Sequence, residues 1–128
     1  MKYLMDTCTF ILYIETSDRL PLAMRDLIDN AEEISVSQAT FWEIAIKKTI
    51  GKLNLQMTSF DLEKKCDENK IELLPLLQSK YFERIQKLPL IHRDPFDRII
   101  TATAVEEDLT LLTNDRNIIK YTEVKTLW

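Results

Sequence analysis

Short apolar runs alternate with amphipathic stretches over most of the chain. Strands are predicted where apolar residues run together or alternate with polar ones. The predicted strands are residues 2–5, 33–37, 71–76 and 110–113, with a last strand near 123–127. Helices are predicted where apolar residues recur every three or four positions or where a polar cap opens a segment. The predicted helices are residues 9–14, 20–30, 38–50, 58–70, 78–88, 95–109 and 116–121.

The alternation of strands and helices predicts an α/β fold with a mainly parallel sheet and helices on both faces. Ligands of such sheets bind beyond the carboxyl ends of the strands, and this rule selects among the acids. Asp6 directly follows the first strand, Asp115 follows the strand at 110–113, and Glu43 lies in the second turn of the helix at 38–50. Asp97 lies in the first turn of a later helix and follows no clear strand, so the pattern constrains its position least.

Each of these acids also has a purely structural interpretation. Asp6 and Asp115 are good helix caps or turn residues. In the segment HRDPFDRII, Asp94 is a good N-cap, Pro95 suits the first helical position, and Asp97 falls where a capping box places its acid. The local sequence does not decide between a cap and a ligand for Asp97.

Glu43 has the strongest functional interpretation of the set. It can pair with Lys47 one helical turn later, which stabilises a helix by only ~0.3–0.5 kcal/mol. Its other neighbours are apolar on most sides of the helix, so we expect this helix to be largely buried. A carboxylate in such a position needs a partner.

Composition narrows the class of protein. The chain has 128 residues, 45% apolar and 30% charged, which predicts one globular domain over residues 1–128. No apolar run approaches the roughly 18 residues of a membrane helix, and no secretory signal is predicted. The two cysteines, Cys8 and Cys66, do not make a disulfide framework, so a reduced, cytoplasmic protein is expected.

Scarce residues exclude several kinds of site. One glycine, Gly51, cannot build a glycine-rich phosphate loop. One histidine, His92, gives neither zinc-ligand spacing with the cysteines nor a Ser-His-Asp triad. Carboxylates therefore remain as the main chemical resource, for acid–base work or for a hard cation such as Mg²⁺ or Mn²⁺.

The excess of acidic residues bears on both nucleic-acid binding and metal binding. The net charge of −4 is poor evidence for nucleic-acid binding, which favours a basic surface. If the acids converge, their mutual repulsion raises their pKa values unless a divalent cation lies among them. One or two such ions at the strand ends suit phosphodiester hydrolysis.

Four segments also carry a family resemblance. LMDTCTF, WEIAIKKTIGKL, HRDPFDRIITATA and LTLLTND resemble, in this order, the VapC toxins of type II toxin–antitoxin pairs, which are PIN-domain ribonucleases. The resemblance implies a three-layer PIN-like domain with a five-stranded sheet between helices. It implies a Mg²⁺- or Mn²⁺-dependent endoribonuclease that cuts tRNA or another structured RNA, leaving a 5′-phosphate and a 3′-hydroxyl. The implied partners are RNA, a cognate antitoxin that covers the active site, and a second copy of the chain.

The resemblance also assigns roles to residues. The catalytic, metal-binding acids would be Asp6, Glu43, Asp97 and Asp115. Supporting polar groups would be Thr7, Thr113 and Asn114, and RNA contacts would be Lys47, Lys48, Lys52, Arg93, Arg98 and Arg116. Asp94 would be the helix cap, and Cys8 stands where close relatives often have histidine or asparagine.

Two other functions are compatible with the pattern. The first is a non-catalytic PIN-like binding module that keeps its acids for stability or for a basic partner. The second is a phosphoaspartyl or receiver-like domain with Asp6 as the phosphate acceptor. The receiver-like alternative leaves Glu43 unexplained, and Lys120 and Lys125 are poorly spaced for its lysine.

Overall fold

The computed structural model describes all 128 residues and contains five strands and seven helices. The strands are β1 Lys2–Met5, β2 Glu33–Ser37, β3 Ile71–Leu74, β4 Thr110–Leu112 and β5 Thr126–Leu127. The helices are α1 Thr7–Ile14, α2 Leu22–Asp29, α3 Gln38–Thr49, α4 Ser59–Glu68, α5 Ser79–Lys87, α6 Pro95–Glu106 and α7 Arg116–Ile119. None of the helices has the length and hydrophobicity needed to cross a bilayer.

All five strands are parallel, in the order β3-β2-β1-β4-β5. The chain builds outward from β1 through β2 to β3 and then crosses back to β4 on the other side of β1. Met5 pairs with Val36 on one side and with Leu112 on the other. The order of the strands therefore reverses between β1 and β4, and a crevice opens at their carboxyl ends.

Alternate strand residues feed two separate cores, so the protein has three layers. Tyr3 and Met5 pack with α1, α2 and α4 on one face of the sheet. Leu4 and Leu111 pack with α5, α6 and α7 on the other face. This arrangement confirms the predicted three-layer α/β fold with a five-stranded parallel sheet.

Two helices begin at caps that the sequence predicts, and a third ends at its predicted glycine. Thr58 and Asp61 form a reciprocal capping box at the start of α4. Asp94 accepts hydrogen bonds from the amides of Phe96 and Asp97, which makes it the cap of α6. Gly51 follows α3 with a φ of +74°, a left-handed conformation that favours glycine at the end of a helix.

Helix α3 differs from its prediction, because it is not largely buried. Only Ala39, Thr40, Glu43 and Ile44 of this helix are buried. Trp42 is 56% exposed and Ile50 is 57% exposed. The helix packs one narrow face against α1 and α6 and leaves the rest of its apolar surface uncovered by this chain. The apolar sequence was therefore a correct sign of burial for Glu43 but not for the helix around it.

Candidate active site

Four acids from separate parts of the chain line one cleft of about 410 Å³ at the carboxyl ends of β1 and β4. These acids are Asp6, Glu43, Asp97 and Asp115. The structure thus brings together the four carboxylates that the sequence selected, including Asp97, which follows no strand. Their roles in binding and catalysis remain predictions.

Asp6 is held between the first strand and the fourth. Its Oδ1 accepts a hydrogen bond of 2.8 Å from the Thr9 amide, which caps α1, and its Oδ2 accepts one of 2.5 Å from the Thr113 hydroxyl. The Asp6 amide and the Thr9 hydroxyl both donate to the carbonyl of Leu112, at 3.1 and 2.9 Å. Burial raises the pKa of Asp6, the charge of Asp115 raises it further, and the hydrogen bonds from Thr113 and Thr9 oppose the rise. Asp6 is therefore both a cap and a member of the cleft.

Asp97 does not complete a capping box. In a capping box, the side chain of Asp97 would accept a hydrogen bond from the backbone amide of Asp94. That amide instead donates to Nδ1 of His92 at 3.2 Å. Asp97 Oδ2 lies 2.9 Å from His92 Nε2. Burial raises the pKa of Asp97 to about 7, the charges of Asp94, Glu43 and Asp6 add to the rise, and His92 opposes it. The pKa of Asp97 therefore lies near neutral pH when no cation lies beside it.

Asp115 divides its two oxygens between the fold and the site. Its Oδ1 accepts from the amides of Asn117 and Ile118 and so caps α7. Its Oδ2 lies 3.4 Å from Nε2 of His92. One carboxylate can serve both purposes because each of its oxygens has two lone pairs.

Glu43 is the most buried acid of the group together with Asp6, each being 4% exposed. Its Oε2 lies 2.8 Å from Nζ of Lys47, and this contact raises the pKa of the ammonium. Its Oε1 is buried and has no hydrogen-bond partner in the protein. A buried carboxylate oxygen without a partner is costly, so a ligand or ion is expected to satisfy it.

The supporting polar residues lie at or beneath the same cleft. Thr113 bridges two of the acids, since it donates to Asp6 and accepts from the Asp115 amide at 3.0 Å. The hydroxyl of Thr7 lies 3.0 Å from that of Thr40, and Asn114 lines the cleft. Cys8 is a free cysteine that lines the cleft; the residue as a whole is exposed, but partial burial of its thiol, together with the charge of Asp6, raises the pKa of the thiol. At neutral pH Cys8 is therefore a neutral thiol rather than a thiolate ligand.

The predicted RNA contacts separate into two groups. Lys47 and Lys52 line the cleft. Lys48, Arg93, Arg98 and Arg116 are not among the residues that line it. Lys48 donates to the Met57 carbonyl at 2.6 Å.

The guanidinium of Arg98 is engaged in hydrogen bonds within the protein and is not free to bind a ligand. It donates to the carbonyls of Ile85, Leu88, Pro89 and His92 and to the hydroxyl of Tyr121. With these acceptors the guanidinium is directed into the protein and holds the loop before α6. The prediction that Arg98 contacts RNA therefore receives no support from its position.

Two residues at the site were not selected from the sequence. Arg19 lies between α1 and α2 and lines the cleft, where it adds a cation that no spacing rule indicated. The sequence pattern tests His92 only as a zinc ligand or a triad base, yet its ring lies between Asp97 and Asp115. The one available signal was its position two residues before the helix cap.

The donor set fits a hard divalent cation. The four acids supply only oxygen ligands, and oxygen ligands suit Mg²⁺ and Mn²⁺ better than Zn²⁺. The partnerless Oε1 of Glu43 and the raised pKa values of Asp6 and Asp97 show that the protein alone does not balance the negative charge. A cation among these groups would relieve that imbalance.

Fold and site together define a class: an α/β domain with a parallel sheet and an acidic cleft at the point where its strand order reverses. The family model of the PIN domain matches residues 3–124. The chain belongs to the PIN domain family.

Several solved structures share this fold. VapBC2 from Rickettsia felis, bound to a DNA fragment from its promoter, is 16% identical with a TM-score of 0.71, covering 99% of this chain and 98% of that one. DNA-bound VapBC from Salmonella typhimurium is 18% identical with a TM-score of 0.68, covering 99% and 97%. FitAcB from Neisseria gonorrhoeae is 17% identical with a TM-score of 0.66, covering 98% and 96%. At these identities the likeness establishes the fold, and no curated protein matches the sequence.

Proposed function

We propose that this protein is a Mg²⁺- or Mn²⁺-dependent endoribonuclease and the toxin of a type II toxin–antitoxin pair in the cytoplasm. One observation carries the proposal: four carboxylates from separate segments line one cleft, and the buried Oε1 of Glu43 has no partner there. The toxin role is supported by the PIN domain match and by the fold shared with VapBC complexes. The RNA substrate, tRNA or another structured RNA, is inferred from the sequence motifs.

Asp6, Glu43, Asp97 and Asp115 would hold the cation. A divalent ion, when bound, would neutralise the developing charge of the phosphodiester and lower the pKa of water. The hydrogen bonds to Asp6 from Thr9 and Thr113 would keep its carboxylate fixed, and a fixed carboxylate loses little entropy on binding.

Basic residues of the cleft would hold the RNA backbone. Arg19, Lys47 and Lys52 line the cleft beside the acids and offer positive charge where a phosphate would lie. Their local cluster would offset the net charge of −4. Arg93 and Arg116 are exposed at the starts of α6 and α7 and could extend this track outside the cleft.

RNA cleavage tests the enzymatic part of the proposal. The parent and the variants Asp6→Asn and Glu43→Gln would be incubated with structured RNA in Mg²⁺, in Mn²⁺ and in EDTA. Cleavage by the parent with either metal, its loss in EDTA and a loss of at least 100-fold in both variants are expected. Asp108→Asn is the matched control, because Asp108 is an exposed acid just before β4, at the amino ends of the strands and away from the cleft at their carboxyl ends. Metal-independent cleavage, or full activity in both site variants, would exclude the mechanism; RNA binding without cleavage would favour a binding module.

The toxin role is tested in cells. Expression of the parent is expected to arrest growth, and co-expression of the protein encoded beside it is expected to restore growth by covering the cleft. Both site variants should be harmless while Asp108→Asn should be toxic. Equal toxicity of Asp6→Asn and the parent would show that growth arrest does not depend on this site.

An uncovered apolar surface supports a homodimer. A groove of about 330 Å³ lies between α3, α5 and the start of α6, and its lining carries no charged residue. Its lining residues are Trp42, Leu76, Leu77, Phe82, Ile85, Pro95, Phe96 and Ile99. Exposed apolar surface of this kind marks an interface, and a second copy of the chain would cover it.

Sedimentation equilibrium tests the dimer. Leu77 is 77% exposed in the groove, whereas Phe60 is 82% exposed on α4 and is not part of it. The parent and Phe60→Glu are expected to be dimers, and Leu77→Glu is expected to be a monomer. A monomeric parent, or a dimeric Leu77→Glu variant, would contradict this assignment of the interface.

A further inference from the structure

The imidazole of His92 lies between two of the four acids. Its Nε2 is 2.9 Å from Oδ2 of Asp97 and 3.4 Å from Oδ2 of Asp115. The candidate ligand atoms of these three residues all lie within 4.8 Å of one another. The side chain of His92 is only 13% exposed, so the contact is largely shielded from water. By composition and distance alone this group could be a metal site with one nitrogen ligand.

The hydrogen bond at the other ring nitrogen argues against a nitrogen ligand. Nδ1 of His92 accepts a hydrogen bond of 3.2 Å from the backbone amide of Asp94. An accepting Nδ1 carries no proton, so the proton of the neutral ring is on Nε2. A protonated Nε2 has no lone pair for a cation and is instead a donor directed at the acids.

The rest of the loop fixes His92 in this orientation. The His92 amide donates to the Tyr121 hydroxyl at 3.0 Å, and the His92 carbonyl accepts from Arg98 at 3.3 Å. Tyr121 is itself buried at 2% exposure and receives a second hydrogen bond, of 3.1 Å, from Arg98. Both backbone groups of His92 and its Nδ1 are therefore held, which leaves Nε2 as the one free polar atom of the residue.

Nε2 lies 2.9 Å from an oxygen of Asp97 and 3.4 Å from an oxygen of Asp115, but it has no hydrogen-bond partner in the protein. Neither oxygen lies well enough along the N–H direction to form a full hydrogen bond, although both are close. A donor in this place draws two mutually repelling carboxylates toward one point. It leaves the remaining lone pairs of their oxygens available to a cation.

We propose that His92 is a positioning residue that holds Asp97 and Asp115 side by side for a divalent cation without itself binding the metal. The proposal rests on the proposed metal-dependent function and specifies how the metal-binding acids are arranged. Because His92 remains a donor, the site keeps oxygen ligands only, which is the donor set typical of Mg²⁺ and Mn²⁺ sites. Residues that orient metal ligands typically contribute 10–100-fold to metal affinity.

The tautomer can be measured directly because the chain has one histidine. In metal-free protein labelled with ¹⁵N-histidine, long-range ¹H–¹⁵N spectra near neutral pH are expected to show a protonated Nε2 and an unprotonated Nδ1. Electron spin-echo measurements on the Mn²⁺ complex are expected to show no directly bonded ¹⁴N. A protonated Nδ1, or a directly bonded nitrogen that disappears in His92→Gln, would make His92 a ligand and overturn the proposal.

Mn²⁺ affinity measured by calorimetry tests the positioning role. His92→Leu is expected to weaken Mn²⁺ binding by about 10–100-fold. His92→Gln, which keeps an N–H near the position of Nε2, is expected to recover a large part of the loss. The control is Leu90→Gln, an exposed position two residues earlier, which should leave the affinity unchanged.

The outcomes separate His92 from the wider function. Unchanged Mn²⁺ affinity in a folded His92→Leu variant would overturn the positioning role and leave the proposed metal-dependent function intact. A parent that binds no Mn²⁺ would overturn both. If His92→Leu does not fold, the comparison of His92→Gln with the parent and the spectra of the parent still decide the proposal.

Discussion

Asp97→Asn is expected to raise the free energy of unfolding of the metal-free protein at pH 8. It is also expected to abolish the additional stability that a bound metal gives the parent. The substitution keeps the shape of the side chain and an oxygen near Nε2 of His92, but it removes the charge. Burial and the neighbouring acids raise the pKa of Asp97 to about 7 from its ordinary value of 3.8. At pH 8 the folded parent therefore carries a charged carboxylate that its surroundings disfavour, whereas the variant carries a neutral amide at the same position.

The magnitude follows from the pKa difference. A rise of about three pH units at about 1.4 kcal/mol each sets a ceiling of roughly 4 kcal/mol. Water entry and local relaxation relieve part of this cost, so we expect Asp97→Asn to gain about 1–2 kcal/mol at pH 8. For a chain of this size that gain corresponds to a Tm increase of roughly 3–8 °C.

The sign of the pH dependence provides a second check. Between about pH 4 and 7 the folded state holds the Asp97 proton and the unfolded state does not, so the parent loses stability as pH rises through this window. The asparagine variant lacks this contribution. Its advantage over the parent should therefore be small at pH 5 and should grow until about pH 8.

Urea denaturation at pH 5 and pH 8, in EDTA and in Mn²⁺, tests the reasoning. In Mn²⁺ the parent should become more stable than Asp97→Asn, since a bound ion stabilises the parent by mass action and the variant lacks one ligand. Asp108→Asn should follow the parent in every condition. If Asp97→Asn is less stable than the parent at pH 8 in EDTA, or if its advantage does not change with pH, the account of the acidic cleft is wrong.

Three further predictions follow from individual contacts. Mn²⁺ affinity measured by calorimetry should rise about tenfold per pH unit below pH 7 and level off above it, because Asp97 must release its proton to bind the ion; an affinity independent of pH would contradict this. Asp94→Ala should cost about 1 kcal/mol in urea denaturation through the lost cap of α6, whereas Asp94→Asn should cost little. Arg98→Lys should cost about 2–4 kcal/mol, since an ammonium cannot serve acceptors on both sides of the planar guanidinium; wild-type stability would show that these contacts contribute little.

Much of the fold could be predicted because its signals are local. The strand β2 and the caps Thr58 and Asp94 are determined by adjacent residues, and the structure confirms them, although β2 is buried on both faces and its burial does not alternate. Asp6 and Asp115 could be selected because the carboxyl ends of parallel strands meet at one edge. Asp97 came to the set through the resemblance, because α6 rather than a strand end brings it to the cleft.

What the sequence could not indicate depends on distant or missing partners. His92 is held by Tyr121, which lies 29 positions later, and no local spacing reveals that contact. Arg98 was expected to contact RNA, but the carbonyls it binds are placed by the loop between α5 and α6. The apolar residues of α3 predict a buried helix, because a sequence pattern does not distinguish a protein interior from an apolar surface that this chain leaves exposed.

The acids of the cleft also stabilise the fold, and this dual role determines how their function can be measured. Asp6 caps α1 and Asp115 caps α7 while each faces the cleft. Alanine at either position would remove a cap worth ~1 kcal/mol together with a ligand, so lost activity could reflect a frayed helix. Asparagine keeps a cap oxygen and removes the charge, while its NH2 group replaces the second acceptor oxygen. Glu43 caps no helix, its Oε1 has no partner to lose, and a glutamine oxygen can still accept from Lys47 in place of Oε2, so Glu43→Gln separates metal binding from folding more cleanly than any change at Asp6 or Asp115.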